Sequence, residues 1–189
     1  ADILITNNEK IIINNISVKE VTFEYKNGGE DRSFKVGPIT LSINRGEILF
    51  IIGGNGSGKS TLANLLTGLY TADEGIVSIN GERVQSCELG NHYSTVFSNH
   101  HIFKKLYGID SESKKEELEY MLKLFHLEEK VSVKNGEFSS ISLSNGHRKR
   151  LSLMKCFLED SQVYLFDEWA ADQDPEYKKI FYRKLLPEM

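Results

Sequence analysis

"EILFIIGGNGSGKSTLANLLTGLY", residues 47–70, runs from an apolar stretch through a glycine-rich turn into a leucine-spaced segment. Inside it, Gly53-Gly54-Asn55-Gly56-Ser57-Gly58-Lys59-Ser60 satisfies G-x-x-x-x-G-K-[ST] in full. The context the motif demands is also there. "ILFII" at 48–52 is rich in β-branched residues and reads as a buried strand, while Leu62, Leu65, Leu66 and Leu69 fall at helical spacing. Strand, glycine loop and helix together make a cradle for phosphate. Glycines let backbone N–H groups curl round an anion without Cβ clashes, and the following helix presents its positive end. Lys59 reaches β- and γ-phosphates as a point charge, and the Ser60 hydroxyl is suited to Mg²⁺. Asn55, Gly56, Ser57, Gly58 and Thr61 complete the candidate phosphate-binding set with Gly53.

Working outward, the 189-residue chain suffices for one domain with a sizeable core and a small subdomain. It is 40% hydrophobic and 26% charged, the balance of an ordinary globular protein. A net charge of −4 leaves no electrostatic footprint for nucleic acid, and the basic run His147-Arg148-Lys149-Arg150 reads as a solvated helix face. Cys87 and Cys156 lie far apart without CxxC spacing, which suggests neither a disulfide framework nor a zinc site. The adjacent His100-His101 pair has no cysteine or carboxylate at ligand spacing and reads as surface or packing. Nothing at the N-terminus resembles a signal peptide, and no apolar run is long enough to span a bilayer.

The remaining elements follow from periodicity. Residues 11–25 and 34–52 read as strands, punctuated by turns at Asn27-Gly28-Gly29 and Asn44-Arg45-Gly46. "GIVSING" is a short strand and turn, and "YSTVF" at 93–97 a buried strand. Residues 110–130 carry Leu118, Met121, Leu122 and Phe125 at helical spacing. A further helix bears Leu151, Met154 and Leu158 on one side. "QVYLFDE" is a strand ending in two carboxylates, and "PEYKKIFYRKLL" a helix led by proline. The sum is an α/β layout with an antiparallel β layer at its start.

Side chains alternate at a strand end, so Asp167 and Glu168 can serve separate tasks: Asp167 for Mg²⁺, Glu168 as general base toward water. A second anion place appears in Leu143-Ser144-Asn145-Gly146-His147, small polar residues opening a helix.

In order, the phosphate loop, "LSNGH" with "RKR", "VYLFDE" and "WAADQD" resemble the nucleotide-binding domain of ABC-type ATPases over nearly the whole chain. "LSNGH" is similar to the family's LSGGQ, departing at Asn145 and His147. The resemblance implies the fold class: a P-loop core of ABC type, mainly a parallel sheet flanked by helices, with an N-terminal antiparallel β layer, a small helical subdomain and truncated C-terminal strands. It places the β layer and core in 1–97 and 155–189, and the helical subdomain in 98–154. It also implies ATP and Mg²⁺ as ligands, Tyr25 stacking on adenine, Asp174 ending the D-loop, and Ser98 where the family has a Q-loop glutamine that contacts the metal. Residues through Phe103 and the helix at 113–126 would be the surface coupled to a membrane domain.

In this family the LSGGQ-like turn of one subunit closes on ATP held by the phosphate loop of the other, so Leu143, Ser144, Asn145, Gly146 and His147 are expected to act in trans within a homodimer. The family's switch histidine has no counterpart before Met189, which implies low activity for this stretch alone. Trp169, where most members have proline, makes the C-terminal stretch similar to exporters of cyclic peptides and peptide siderophores. Those are half-transporters with a transmembrane domain in the same polypeptide, working at the cytoplasmic face of the inner or plasma membrane. The alternative is a non-transport ABC-type ATPase acting on nucleic acid. Against it, only residues 62–142 separate loop and turn, with no sustained heptads.

Overall fold

The computed structural model describes residues 11–25, 34–99 and 101–188, so the Asn27-Gly28-Gly29 turn and His100 lie outside the described residues. The chain forms two compact units, divided between His92 and Tyr93.

The first unit is built on a four-stranded antiparallel sheet in the order β2-β1-β3-β4. β1 (Asn15–Tyr25) pairs with β2 (Phe34–Asn44) from Asn15 opposite Asn44 to Tyr25 opposite Phe34. On its other side β1 meets β3 (Glu74–Ile79), with Ile16 opposite Ile79, and β4 (Glu82–Arg83) closes a hairpin on β3. The hairpin is two residues tight because Asn80 and Gly81 both take left-handed backbone, φ 53° and 85°, as a type I′ turn requires. The Asn80 side chain also accepts from the Asn14 and Asn15 amides, tying the turn to the start of β1. Alternation buries Ile16 and Val18 of β1, and Val21 further along it; Val36 of β2 and Val77 and Ile79 of β3 are buried as well. α1 (Lys59–Leu66) buries Leu62, Leu65 and Leu66, and α2 (Ser86–Leu89) buries Leu89.

Two expectations fail here. Residues 47–54 form no regular element and belong to no ladder among the described residues, and Ile48 to Ile52 are 41–91% exposed. An apolar run becomes a strand only when a neighbour supplies backbone partners, and hydrophobicity alone cannot provide one. Leu69 is 63% exposed, because α1 ends at Thr67 and the Gly68 left-handed turn rotates the next residue off the helical face.

In the second unit β5 (Tyr93–Val96) lies parallel to β8 (Val163–Phe166), Tyr93 opposite Val163 and Val96 opposite Phe166. Between them in sequence come α3 (Lys115–Leu124), the hairpin β6 (Val133–Lys134) and β7 (Glu137–Phe138), and α4 (Asn145–Glu159). α5 (Pro175–Ile180) follows β8, continuing through a wide turn at Phe181–Leu185. Leu151, Met154 and Leu158 of α4 are buried, as their spacing predicts, and share one core with Phe125, Leu127, Phe138, Trp169, Tyr177 and Phe181. Trp169 and Phe181 rings sit 4.3 Å apart, centroid to centroid, and Arg150 lies over the Tyr177 ring at 3.8 Å. With helices packed about a parallel pair and a separate antiparallel layer, the α/β class holds.

Because the Phe125 side chain is fully enclosed in this core, Phe125→Ala is expected to cost about 3–5 kcal/mol. Urea denaturation measures this; a loss below about 1 kcal/mol would mean the ring does not carry the packing assigned to it.

Candidate functional site

The phosphate loop enters α1 by a close approach to β2. Gly58 caps α1 with φ 92°, and a Cβ there would meet Val36 Cγ2 at 2.8 Å, so only glycine lets the loop enter the helix against β2. Gly53 to Ser57 are exposed, and α1 carries no acidic residue in its first turn to neutralise its positive end. Lys59 Nζ folds back onto the loop, donating to the carbonyls of Gly53 (3.0 Å) and Gly54 (2.9 Å). The ammonium thus rests on the exposed loop, where an anion arriving at the head of α1 would meet it. Ser60 is exposed, while Thr61 is buried with its hydroxyl 2.9 Å from the Tyr25 hydroxyl. Tyr25 is half-buried beside Phe23, Phe34 and Tyr70. Thus the aromatic and the loop's helix, far apart in sequence, are joined directly in the first unit.

The carboxylates lie in the second unit. Asp167 is buried at the end of β8, its amide donating to the Val96 carbonyl, and Ser98 Oγ donates to Asp167 Oδ2 at 3.2 Å. The Ser98 and Asp167 pair expected at a metal is therefore assembled. Glu168 is exposed, with left-handed backbone at φ 51°.

The "LSNGH" turn opens α4. Ser144 is the N-cap, with Oγ accepting from the His147 amide at 3.4 Å and sitting 2.7 Å from His147 Nδ1. Ser144 and Asn145 are exposed; Leu143, Gly146 and His147 are half-buried. Gly146 is required by packing: a Cβ would lie 2.9 Å from the Asp172 carbonyl oxygen, and Gln173 Nε2 donates to Gly146 O at 3.1 Å. Asp174 caps α5 by accepting from the Tyr177 amide at 2.8 Å and also receives Arg150. That capping bond first, and the Arg150 charge with it, hold its carboxyl below the usual carboxylate range.

The basic run is not the solvated face its composition suggests. Lys149 is 4% and Arg150 9% exposed. Lys149 pairs with Asp172 at 2.9 Å, and Arg150 reaches Gln173 and Asp174. Buried cations need such partners, and acidic residues one short strand downstream were the available signal. The Trp169 indole donates to the Lys149 carbonyl, so the tryptophan also serves this junction.

A sequence model of the family described as ABC transporter matches residues 36–171, spanning loop, turn and carboxylates. The chain belongs to the ABC transporter family. It is 41% identical over 180 residues to the ATP-binding protein SyrD of Pseudomonas syringae pv. syringae, covering 92% of this chain and 32% of that protein. It is 30% identical over 185 residues to the ATP-dependent lipid A-core flippase of Vibrio parahaemolyticus, covering 90% of this chain and 31% of the flippase. The chain thus spans about a third of the length of these curated relatives. The solved structure of a bacterial Atm1-family ABC exporter with ATP bound matches the fold with a TM-score of 0.73 at 21% identity, over 95% of this chain and 33% of that one. The fold is that of the family's ATPase domain.

Each unit carries an oxygen donor of the kind Mg²⁺ takes: the exposed Ser60 hydroxyl in the first, the Asp167 carboxylate in the second. Among the described residues no group of three or more His, Cys, Asp and Glu could form an all-protein metal cage.

His147 supplies a pH test. Burial, with the Arg150 and Lys130 charges, lowers its pKa, while Asp174 acts the other way. Its folded value lies below its unfolded one, so its contribution is fully present above the unfolded value and is lost as pH falls through the folded one. Urea midpoints are therefore expected to drop between about pH 7 and 5 less steeply in His147→Gln than in the native chain. Parallel profiles would remove His147 as the cause. Separately, Gly58→Ala is expected to destabilise by more than about 1 kcal/mol in the same assay, through its left-handed backbone and the Val36 contact.

Proposed function

We propose that this chain is the ATP-binding and ATP-hydrolysing motor domain of an ABC exporter, working as a homodimer around two ATP molecules. The observation that carries this is the pairing, in one chain, of an exposed phosphate loop armed by Lys59 with a Ser144–His147 turn on a helix N-terminus whose Ser144 and Asn145 are exposed. Each is shaped to receive an anion, and a triphosphate gripped by one chain's loop and another chain's turn uses both.

In this reading the loop amides and Lys59 orient the β- and γ-phosphates, and Tyr25 offers its ring face to the base. Ser144 and the Gly146 amide meet the γ-phosphate of the neighbouring chain's nucleotide. Glu168 accepts a proton from the attacking water, which its exposed position at the end of β8 permits. Ser60 and Asp167, with Ser98 beside it, would hold Mg²⁺, whose part when bound is to neutralise phosphate charge. Asp174 fixes the turn after Glu168 by capping α5.

A transmembrane domain of the same protein would be the mechanical partner, touching the surface around Phe103, with the motor at the cytoplasmic face of the membrane. Among the described residues no helix is long and apolar enough to cross a membrane itself. Trp169 directly after Glu168, where most members of the family have proline, favours a cyclic peptide or siderophore-like cargo. A nucleic-acid partner is disfavoured by a net charge of −4 and by burial of Lys149 and Arg150.

Glu168→Gln is expected to cut ATP turnover by about 10²–10⁴-fold while leaving ATP binding intact. ATP should then shift that variant from monomer to dimer in size-exclusion chromatography, and Lys59→Ala should abolish the shift. Unchanged turnover in Glu168→Gln would remove the general base, and an ATP-insensitive monomer would remove the shared grip.

A further inference from the structure

We propose that Lys149 is a positioning residue for Glu168, holding that residue's peptide group from inside the protein so that its carboxylate is aimed. The inference rests on the reading of Glu168 as the general base. Among the described residues no hydrogen bond or ion pair reaches the Glu168 carboxylate, so its backbone decides where it points. That backbone is itself unusual: φ 51°, ψ 29°, a left-handed setting that a residue with a Cβ keeps only when its surroundings impose it.

Lys149 is what imposes it. From within α4 its ammonium donates to the Glu168 carbonyl oxygen at 3.0 Å and pairs with Asp172 Oδ2 at 2.9 Å. The other end of the same residue, its carbonyl oxygen, accepts from Trp169 Nε1 at 2.9 Å. One residue thus secures the peptide on the C-terminal side of Glu168 and the side chain that follows. The Ala171 amide, which belongs to the turn being held, also donates to the Glu168 carbonyl, at 3.1 Å. A cation placed at a cost in burial, and used on a carbonyl rather than on solvent, is a fixed strut. Because Lys149 lies two residues beyond His147, the strut joins the helix that carries the anion turn to the residue that activates water.

Two substitutions separate this from a packing role. Lys149→Met keeps the stem and removes the donor; Lys149→Gln keeps a neutral donor. Neither strands a buried charge, since Asp172 is 46% exposed. In the intact protein, Lys149→Met is expected to lower kcat by about 10²-fold with KM for ATP changed less than about twofold, as for misplacement of a reacting group without loss of binding. Lys149→Gln should recover part of the loss. Without nucleotide, hydrogen exchange across 168–172 should quicken by about tenfold in Lys149→Met, the order expected for losing one charge-assisted bond.

Native kcat in Lys149→Met, beside an inactive Glu168→Gln, would overturn the proposal. So would unchanged exchange across 168–172, whatever the turnover. If Glu168→Gln itself turned over normally, the base assignment would fail, and the exchange result alone would still decide whether Lys149 holds the turn.

Discussion

Two buried cations on α4, Lys149 and Arg150, meet the carbonyls, amides and carboxylates of residues 168–174, and the second unit is organised around that meeting. Burying an ammonium and a guanidinium is unfavourable unless every donor is matched, which leaves the turn after β8 little freedom in where it runs. Once it is placed, Gly146 can approach the Asp172 carbonyl, Trp169 can enter the aromatic core beside Phe181, and Asp174 can start α5. The exposed Ser144 turn and the exposed Glu168 are therefore two outer ends of one internal joint. Chemistry at the surface is set by electrostatics beneath it.

The first unit relies on shape instead. Val36 on β2 and Gly58 at the head of α1 come so close that a single methyl group would part them. Tyr25 reinforces the contact by reaching Thr61. The loop between strand and helix can stay open to solvent because its anchor points are closed.

Much of this was legible in the sequence. The G-x-x-x-x-G-K-[ST] spacing located the loop, since few other patterns combine glycine at positive φ with a lysine and a hydroxyl residue. The 3.6-residue period found the buried face of α4, and the apolar run before Asp167 found β8. Two kinds of information were not legible. Whether "ILFII" is a strand depends on what lies beside it, which composition cannot state. Whether "HRKR" faces solvent depends on acidic partners that become neighbours only after α4 and β8 have folded back on each other. Ser98 lay between the cases: its alignment was guessable, but a hydroxyl bonded directly to Asp167 was not.

The resting position of Lys59 has a consequence for what the loop will hold. Its ammonium already has two acceptors in the loop's own carbonyls, so an arriving anion must displace satisfied bonds rather than fill an empty pocket. Such a swap gains little for one phosphoryl oxygen, because the lost and formed contacts are similar in kind. It becomes worthwhile for a ligand presenting several linked negative oxygens at once. By that electrostatic reasoning, the folded-back lysine favours linked polyphosphate oxygens over a lone phosphate.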